Sequence, residues 1–249
     1  MTIRAVLFDL DGTLWSMGGA EANPEFEWSN VTAIQAGGLA PHFRRWGFAC
    51  DPAAFVTAFF EDLRRLLNPP TPDCREPAWH PALELTLARF GHRADDRMAE
   101  AIFDVLNDVP FHHFGVQPFA EVPAALEKLA ASGIRIGAVS NNPKPAHSLA
   151  AEMRRQGIPD VFETIVTSWT CGWRKPHHIP FEAALQELGV QPSEAAHVGD
   201  SYENDIAPAL ALGMTAVLRR GRPAPPGAPV PHHEIDSLEE LVPLLAPDA

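Results

Sequence analysis

Apolar and polar positions change rhythm along this chain, and the change divides it. From Ser132 onward, short apolar runs alternate with segments of helical spacing. Residues 134–140 (IRIGAVS), 161–168 (VFETIVTS), 195–200 (AAHVGD) and 214–220 (MTAVLRR) predict strands, and residues 3–8 predict one more at the N-terminal end. Helices are predicted near 144–156, over 180–189 (PFEAALQELG, with a glycine stop) and near 204–212. A last helix, opened by an N-cap, is predicted over 236–245 (DSLEELVPLL). Strands alternating with helices imply βαβ units and a parallel sheet covered on both faces.

Between Trp15 and about Phe119 the strand signal disappears. Helical patterns are predicted near 31–46, 52–67, 77–90 and 95–106, with apolar residues at i, i+3 and i+4 spacing, as in Phe55, Phe59, Leu63 and Leu66. Residues 67–77 (LNPPTPDCREP) read as the loop inside this bundle, 110–119 as the return linker, and proline-rich 219–233 as a solvated loop. The expected architecture is therefore α/β, a doubly wound parallel sheet built from residues 1–15 and 120–249. A helical domain over 16–119 is inserted after the first strand. No internal repeat is visible.

Bulk properties narrow the class. A chain of 249 residues with 46% hydrophobic content has ample material for a core. Acids outnumber bases 32 to 19, a net charge of −13 that argues against nucleic acid as a partner. No signal pattern precedes the first strand, and no apolar run approaches the roughly 20 residues of a membrane-spanning helix. Three widely separated cysteines (Cys50, Cys74, Cys171) suit a reducing compartment. The expectation is a soluble cytoplasmic protein, monomeric or homodimeric, with no membrane partner.

Chemistry enters at the strand ends, where open parallel sheets bind their ligands. The first strand runs into Asp9, Asp11, Gly12 and Thr13. Two carboxylates one leucine apart repel unless a cation or a shared proton relieves them. The second strand is followed by Ser140, Asn141 and Asn142. Lys175 lies in GWRKP after the third, and Gly199, Asp200, Ser201 and Asp205 follow the fourth. The topology gathers acids, a hydroxyl, a lysine and backbone N–H groups on one edge.

In this order the four segments resemble those of the haloacid dehalogenase-like hydrolases. DLDGT resembles motif I, SNN motif II, the RKP lysine motif III and GDSYEND motif IV. The match covers residues 2–15 and 134–216. The helical insertion resembles the family's subclass I cap by position and helicity alone. The resemblance implies a Rossmann-like core, Mg²⁺, and hydrolysis of a small phosphorylated metabolite. It makes Asp9 the nucleophile that forms an aspartyl-phosphate. Asp11 becomes the acid that protonates the leaving oxygen and the base that activates water. The metal would take the Asp9 and Asp200 side chains and the Asp11 backbone carbonyl, with Asp205 behind them orienting Lys175 or a metal-bound water. Ser140 and Asn141, with the turn at Gly12 and Thr13, would bind phosphoryl oxygens. Thr13 would also orient Asp11, and Lys175 would supply a fixed positive charge.

An acid at Asp11 separates chemistries within such a family. A halide leaves without a proton, so dehalogenase members lack that acid, and here it is present. A phosphomutase is the enzymatic alternative, but no basic signature for a bisphosphate stands out in the insertion. A non-catalytic binding protein of the same fold would be expected to lose one of Asp9, Asp11, Lys175 or Asp200, and none is lost.

Other features take structural readings. The His112–His113, His177–His178 and His232–His233 pairs lack zinc spacing, although His177 stands where the family often carries an acid. Cys171 reads as a packed thiol, and Trp28, Trp46, Phe55, Phe59 and Phe60 as core of the insertion. Arg44, Arg45, Arg64 and Arg65 read as a solvated helix face. Substrate contacts are expected from residues 69–75, 18–29 and 111–118.

Overall fold

By its internal contacts the chain divides into two compact units, Met1–Met17 with Gln117–Ala249, and Gly18–Val116. The computed structural model describes residues 2–16, 27–67, 73–76, 79–221 and 223–245.

The unit Gly18–Val116 is helical. It contains α1 (Trp28–Trp46), α2 (Pro52–Leu67), α3 (Trp79–Arg89) and α4 (Asp96–Asn107), then a 3₁₀ turn at Phe111–Phe114. Periodic apolar positions form its core. Phe43 meets Phe55 edge-to-face at 5.0 Å, and Phe59 packs against Trp79 at 5.6 Å and Phe103 at 6.4 Å. Asp95 caps α4 by accepting from the Met98 N–H at 2.8 Å. Trp28 departs from the core expected of it. It is 65% exposed, at the first position of α1, with its ring edge on Phe114. Arg44, Arg45, Arg64 and Arg65 are exposed, as their helix positions require.

The other unit is built on six parallel strands, β1 (Ala5–Phe8), β2 (Arg135–Ser140), β3 (Phe162–Thr167), β4 (Ala195–Gly199), β5 (Thr215–Arg219) and β6 (His233–Ile235). Their order is β3-β2-β1-β4-β5-β6, so the winding reverses at β1. Every residue of β1 is buried, as a central strand covered on both faces must be. Its register pairs Phe8 with Ala138 on one side and Val198 on the other, which aligns the three carboxyl ends.

Helices α5 (Val122–Ala131), α6 (Ala146–Arg155), the short α7 (Ser168–Cys171), α8 (Ile179–Leu188), α9 (Ala207–Ala211) and α10 (Leu241–Leu245) complete this unit. On one face Phe181, Leu185 and Leu188 of α8 join Leu7, Val139, Ala195 and Leu218 in one buried cluster. Each fully buried Leu or Phe there contributes about 1.5–3 kcal/mol over the exposed chain.

Several elements differ from the sequence expectation, and α5 and α7 have no counterpart in it. The predicted loop 219–233 ends in a sixth strand, β6, whose three residues are too few to show alternation. The helix predicted from Asn204 begins instead with a π-helical turn at Tyr202–Ile206, capped by the Ser201 hydroxyl. The helix predicted from Asp236 opens one residue later, where Ser237 and Glu240 form a capping box. No helix among the described residues is long and apolar enough to cross a membrane.

Candidate active site

The winding reversal at β1 opens a crevice at the carboxyl ends of β1, β2 and β4. A cleft of about 260 Å³ lies there, lined by Asp9, Asp11, Ser140, Asn141, Arg174, Lys175, Asp200, Ser201, Asn204 and Asp205. Local turns aim these groups. Asp9 follows β1 directly, with its N–H bonded to the Val198 carbonyl at 2.8 Å. Gly12 adopts φ +84°, a left-handed conformation, and a Cβ there would lie 2.5 Å from Asp200 Oδ2. Only glycine lets the motif I turn pass so close to that carboxylate. Gly199 is constrained likewise, since its Cβ would meet Asp205 Cγ at 2.3 Å.

Lys175 organises the charges. Its Nζ donates to Asp9 Oδ1 and to Asp205 Oδ1, each at 2.6 Å, in a wholly buried setting. Burial alone would lower the lysine pKa, but Asp205 and Asp9 outweigh it and hold the ammonium charged. Burial alone would raise Asp205, but Lys175 and His197 outweigh it and set its pKa near 2. Asp9 goes the other way. Burial, helped by Asp205, lifts it above the carboxylate range against the pull of Lys175. Asp11 is also raised by burial, against a hydrogen bond from Trp15 and the charge of Lys175.

The Asp9, Asp200 and Asp205 carboxylates bring oxygens within 4.8 Å of one another. Lys175 pairs with two of these three acids, and carboxylates this close repel unless a proton or a cation relieves them. Asp205 is already engaged. Its Oδ1 accepts from Lys175 and lies 3.0 Å from His197 Nε2, and its Oδ2 accepts from the Ser201 N–H. The oxygens of this carboxylate group could hold a metal, and all-oxygen donors of this kind suit a hard divalent cation.

Ser140 is buried, and its hydroxyl meets no partner among the described residues. A buried hydroxyl in that state at the cleft wall is suited to an incoming oxygen. The Asn141 side chain is committed elsewhere, donating to the Lys175 carbonyl at 3.0 Å and accepting from the Lys175 N–H at 2.6 Å. It holds the lysine loop, which leaves its backbone N–H as the group for a ligand. Thr13 is wholly buried and does not line the cleft; its hydroxyl has no partner among the described residues. The bond expected from Thr13 to Asp11 comes instead from the Trp15 indole, at 2.8 Å.

Sequence reasoning missed Trp15, His197 and Arg219. Trp15 reads as one more apolar residue, so no signal marked it. His197 did leave a sign, as the one strongly polar side chain in AAHVG, and burial keeps it neutral despite its bond to Asp205. Arg219 ends β5 and donates to the Thr13 carbonyl at 3.0 Å and to Glu121 at 2.8 Å, with its guanidinium 3.9 Å from the Phe119 ring centroid. It clamps the turn that carries Asp11 to the returning segment.

His177 takes over the place of the acid. Its Nδ1 accepts from the Ile179 N–H at 3.3 Å, and its ring stacks on Trp173, so the start of α8 is anchored. Among the described residues no histidine joins a metal-like cluster. The expected contacts at 69–72 and 18–26 lie outside the described residues.

The chain is similar to several known proteins. A glyceraldehyde 3-phosphate phosphatase of Methanopyrus kandleri is 29% identical over 246 residues, 96% of each chain. A phosphoglycolate phosphatase of Yersinia pseudotuberculosis is 38% identical over 103 residues, 41% of this chain and 43% of its own. Among solved structures, a 2-haloacid dehalogenase from Pseudomonas syringae superposes over the whole of both chains with a TM-score of 0.66 at 29% identity. The model of the haloacid dehalogenase-like hydrolases matches residues 3–213, and the chain belongs to that family.

Proposed function

We propose that this protein is a Mg²⁺-dependent phosphatase that hydrolyses a small phosphorylated metabolite through an aspartyl-phosphate on Asp9. The observation that carries the reading is Asp9 at the winding reversal, with Lys175 Nζ 2.6 Å from its Oδ1. Relatives named as phosphatases of glyceraldehyde 3-phosphate and phosphoglycolate support the substrate class.

Asp9 attacks phosphorus through a carboxylate oxygen while the bond to the leaving oxygen breaks. Asp11 gives that oxygen its proton and then takes one from the water that opens the acyl phosphate. Phosphate departs and Asp9 is regenerated. Lys175 offsets charge on Asp9 and the phosphoryl group, and the Ser140 hydroxyl and Asn141 N–H hold equatorial oxygens. The Asp9 and Asp200 side chains and the Asp11 carbonyl would hold Mg²⁺, which supplies charge neutralisation between carboxylate and phosphate. Substrate choice is assigned to the helical unit, and the setting to the cytoplasm.

The test is phosphate release from an aryl phosphate with and without Mg²⁺. Turnover that needs Mg²⁺ and falls about a thousandfold or more in Asp9→Asn is expected. Turnover that survives in pure Asp9→Asn protein would sink the mechanism. A dehalogenase reading has the Pseudomonas structure behind it and Asp11 against it. Halide release from a 2-haloacid, without phosphate release, would reverse the choice.

A further inference from the structure

Asp11 carries the proton in the mechanism above, and something must set the orientation of its carboxyl. Among the described residues its one side-chain partner is Trp15, whose Nε1–H donates to Oδ1 at 2.8 Å. Oδ2 has no hydrogen-bond partner among them. The indole has little room to move. Trp15 is 0% exposed, its carbonyl accepts from the Gly12 N–H at 2.8 Å, and it forms bridges with Asp11 and with Pro118. The flanking Leu14 carbonyl accepts from the Phe119 N–H at 3.1 Å. A buried indole N–H requires an acceptor. Here that acceptor is the acid itself rather than a backbone carbonyl.

We propose that Trp15 is the positioning residue for proton transfer in this phosphatase: its indole N–H occupies Asp11 Oδ1 and leaves Oδ2 as the oxygen that exchanges a proton with the leaving group and with water. An oxygen that accepts an N–H does not direct a proton of its own along the same line, so the acid hydrogen resides on Oδ2. The first half-reaction then balances simply. Asp9 forms the new P–O bond, the ester P–O bond breaks, and the Oδ2 hydrogen passes to the departing oxygen. The inference rests on the phosphatase reading and adds a residue to it.

A tryptophan that only filled space would affect all substrates alike. A positioning role depends on how much the leaving oxygen needs a proton. An alkyl phosphate needs it in the first step, and a p-nitrophenyl phosphate needs it little. kcat/KM reports that step, and general acid catalysis is worth about 10²–10⁴-fold. In Trp15→Phe, which keeps an aromatic ring and removes the N–H, the ratio of kcat/KM for an alkyl phosphate to that for p-nitrophenyl phosphate is expected to fall about tenfold or more. Equal losses on both esters in an active protein overturn this inference and leave the phosphatase reading standing. A parent without Mg²⁺-dependent turnover on either ester overturns both.

A second measurement needs neither turnover nor metal, and it stands if Trp15→Phe fails to fold. The Trp15 indole N–H signal, read by ¹⁵N-edited NMR of the metal-free protein, is expected to move in Asp11→Ala. A signal indifferent to loss of that carboxyl overturns the contact and the inference with it.

Discussion

Both units bury aspartate, one in the helical unit and three in the other among the described residues, and the two settings differ. In the helical unit Asp62 accepts from Arg89 Nη1 and from the Thr86 hydroxyl, each at 3.0 Å, and Arg65 lies 3.7 Å away. One acid has two arginines, and its charge is balanced by the fold. In the α/β unit, Asp9 and Asp205 both accept from the buried Lys175, and Asp200 brings a third carboxylate oxygen within 4.8 Å of theirs. Burying charge is costly unless it is paired, so the first cluster is closed on itself, while the second suits the cation and phosphate of the proposed function. Burial of charge by itself does not mark a site. Imbalance does.

Predictions that break or sharpen this contrast run from large effects to small. Asp9→Asn is expected to abolish turnover, about a thousandfold or more, while the melting temperature holds or rises because one buried charge is gone. Lys175→Met leaves the acids facing one another. Turnover is expected to fall about a hundredfold or more, and the metal-free melting temperature to drop and recover in part when Mg²⁺ is added; calorimetry with and without the ion reads this.

Gly12→Ala combines a left-handed backbone, which costs a residue with a Cβ about 1–2 kcal/mol, with a Cβ 2.5 Å from Asp200 Oδ2. Displacing that carboxylate is expected to weaken Mg²⁺ activation about tenfold or more, read as the Mg²⁺ concentration for half-maximal turnover.

The acid limb of stability separates Asp205 from the rest. Its pKa is depressed from 3.8 to about 2, so its contribution is present above about pH 4 and is lost as pH falls toward 2. The amount is on the order of 2 kcal/mol. Urea unfolding across that range is expected to show a shallower loss in Asp205→Asn than in the parent. The smallest effect on catalysis belongs to Asp62→Ala. The Thr86 hydroxyl keeps the Ala82 carbonyl as acceptor at 2.9 Å, so loss of its bond and that of Arg89 to Asp62 is expected to cost about 1 kcal/mol, with kcat and KM within about twofold of the parent. A catalytic defect in that variant would erase the distinction between the two clusters.

Much of the fold is legible in the sequence because strand signals here are local. The runs 134–140, 161–168, 195–200 and 214–220 each carry their own apolar pattern, and strands lie at all four. β6 escaped because three residues carry no period, and the π-helical turn because its start is set by the Ser201 cap and by Asp205 turning back toward Ser201. At the cleft, Asp9, Asp11, Lys175, Ser140, Asn141, Asp200 and Asp205 are brought together as their strand-end positions imply. The detailed partners were not legible. Thr13 is polar and adjacent, yet its hydroxyl is buried with no partner among the described residues, while Trp15 reaches Asp11.

The residues alone determine an alternating chain with acids, a hydroxyl and a lysine at its strand ends, since hydrophobic period and turn chemistry act over a few positions. Which of those groups touch is decided by register. Lys175 meets Asp9 across 166 positions of sequence and Asp205 across 30, and His197 of β4 faces Asp205 in the π-helical turn that follows the strand. Such pairs depend on distances of a few tenths of an ångström between distant segments. Only packing of the sheet and its helices sets those distances, and no local pattern records them.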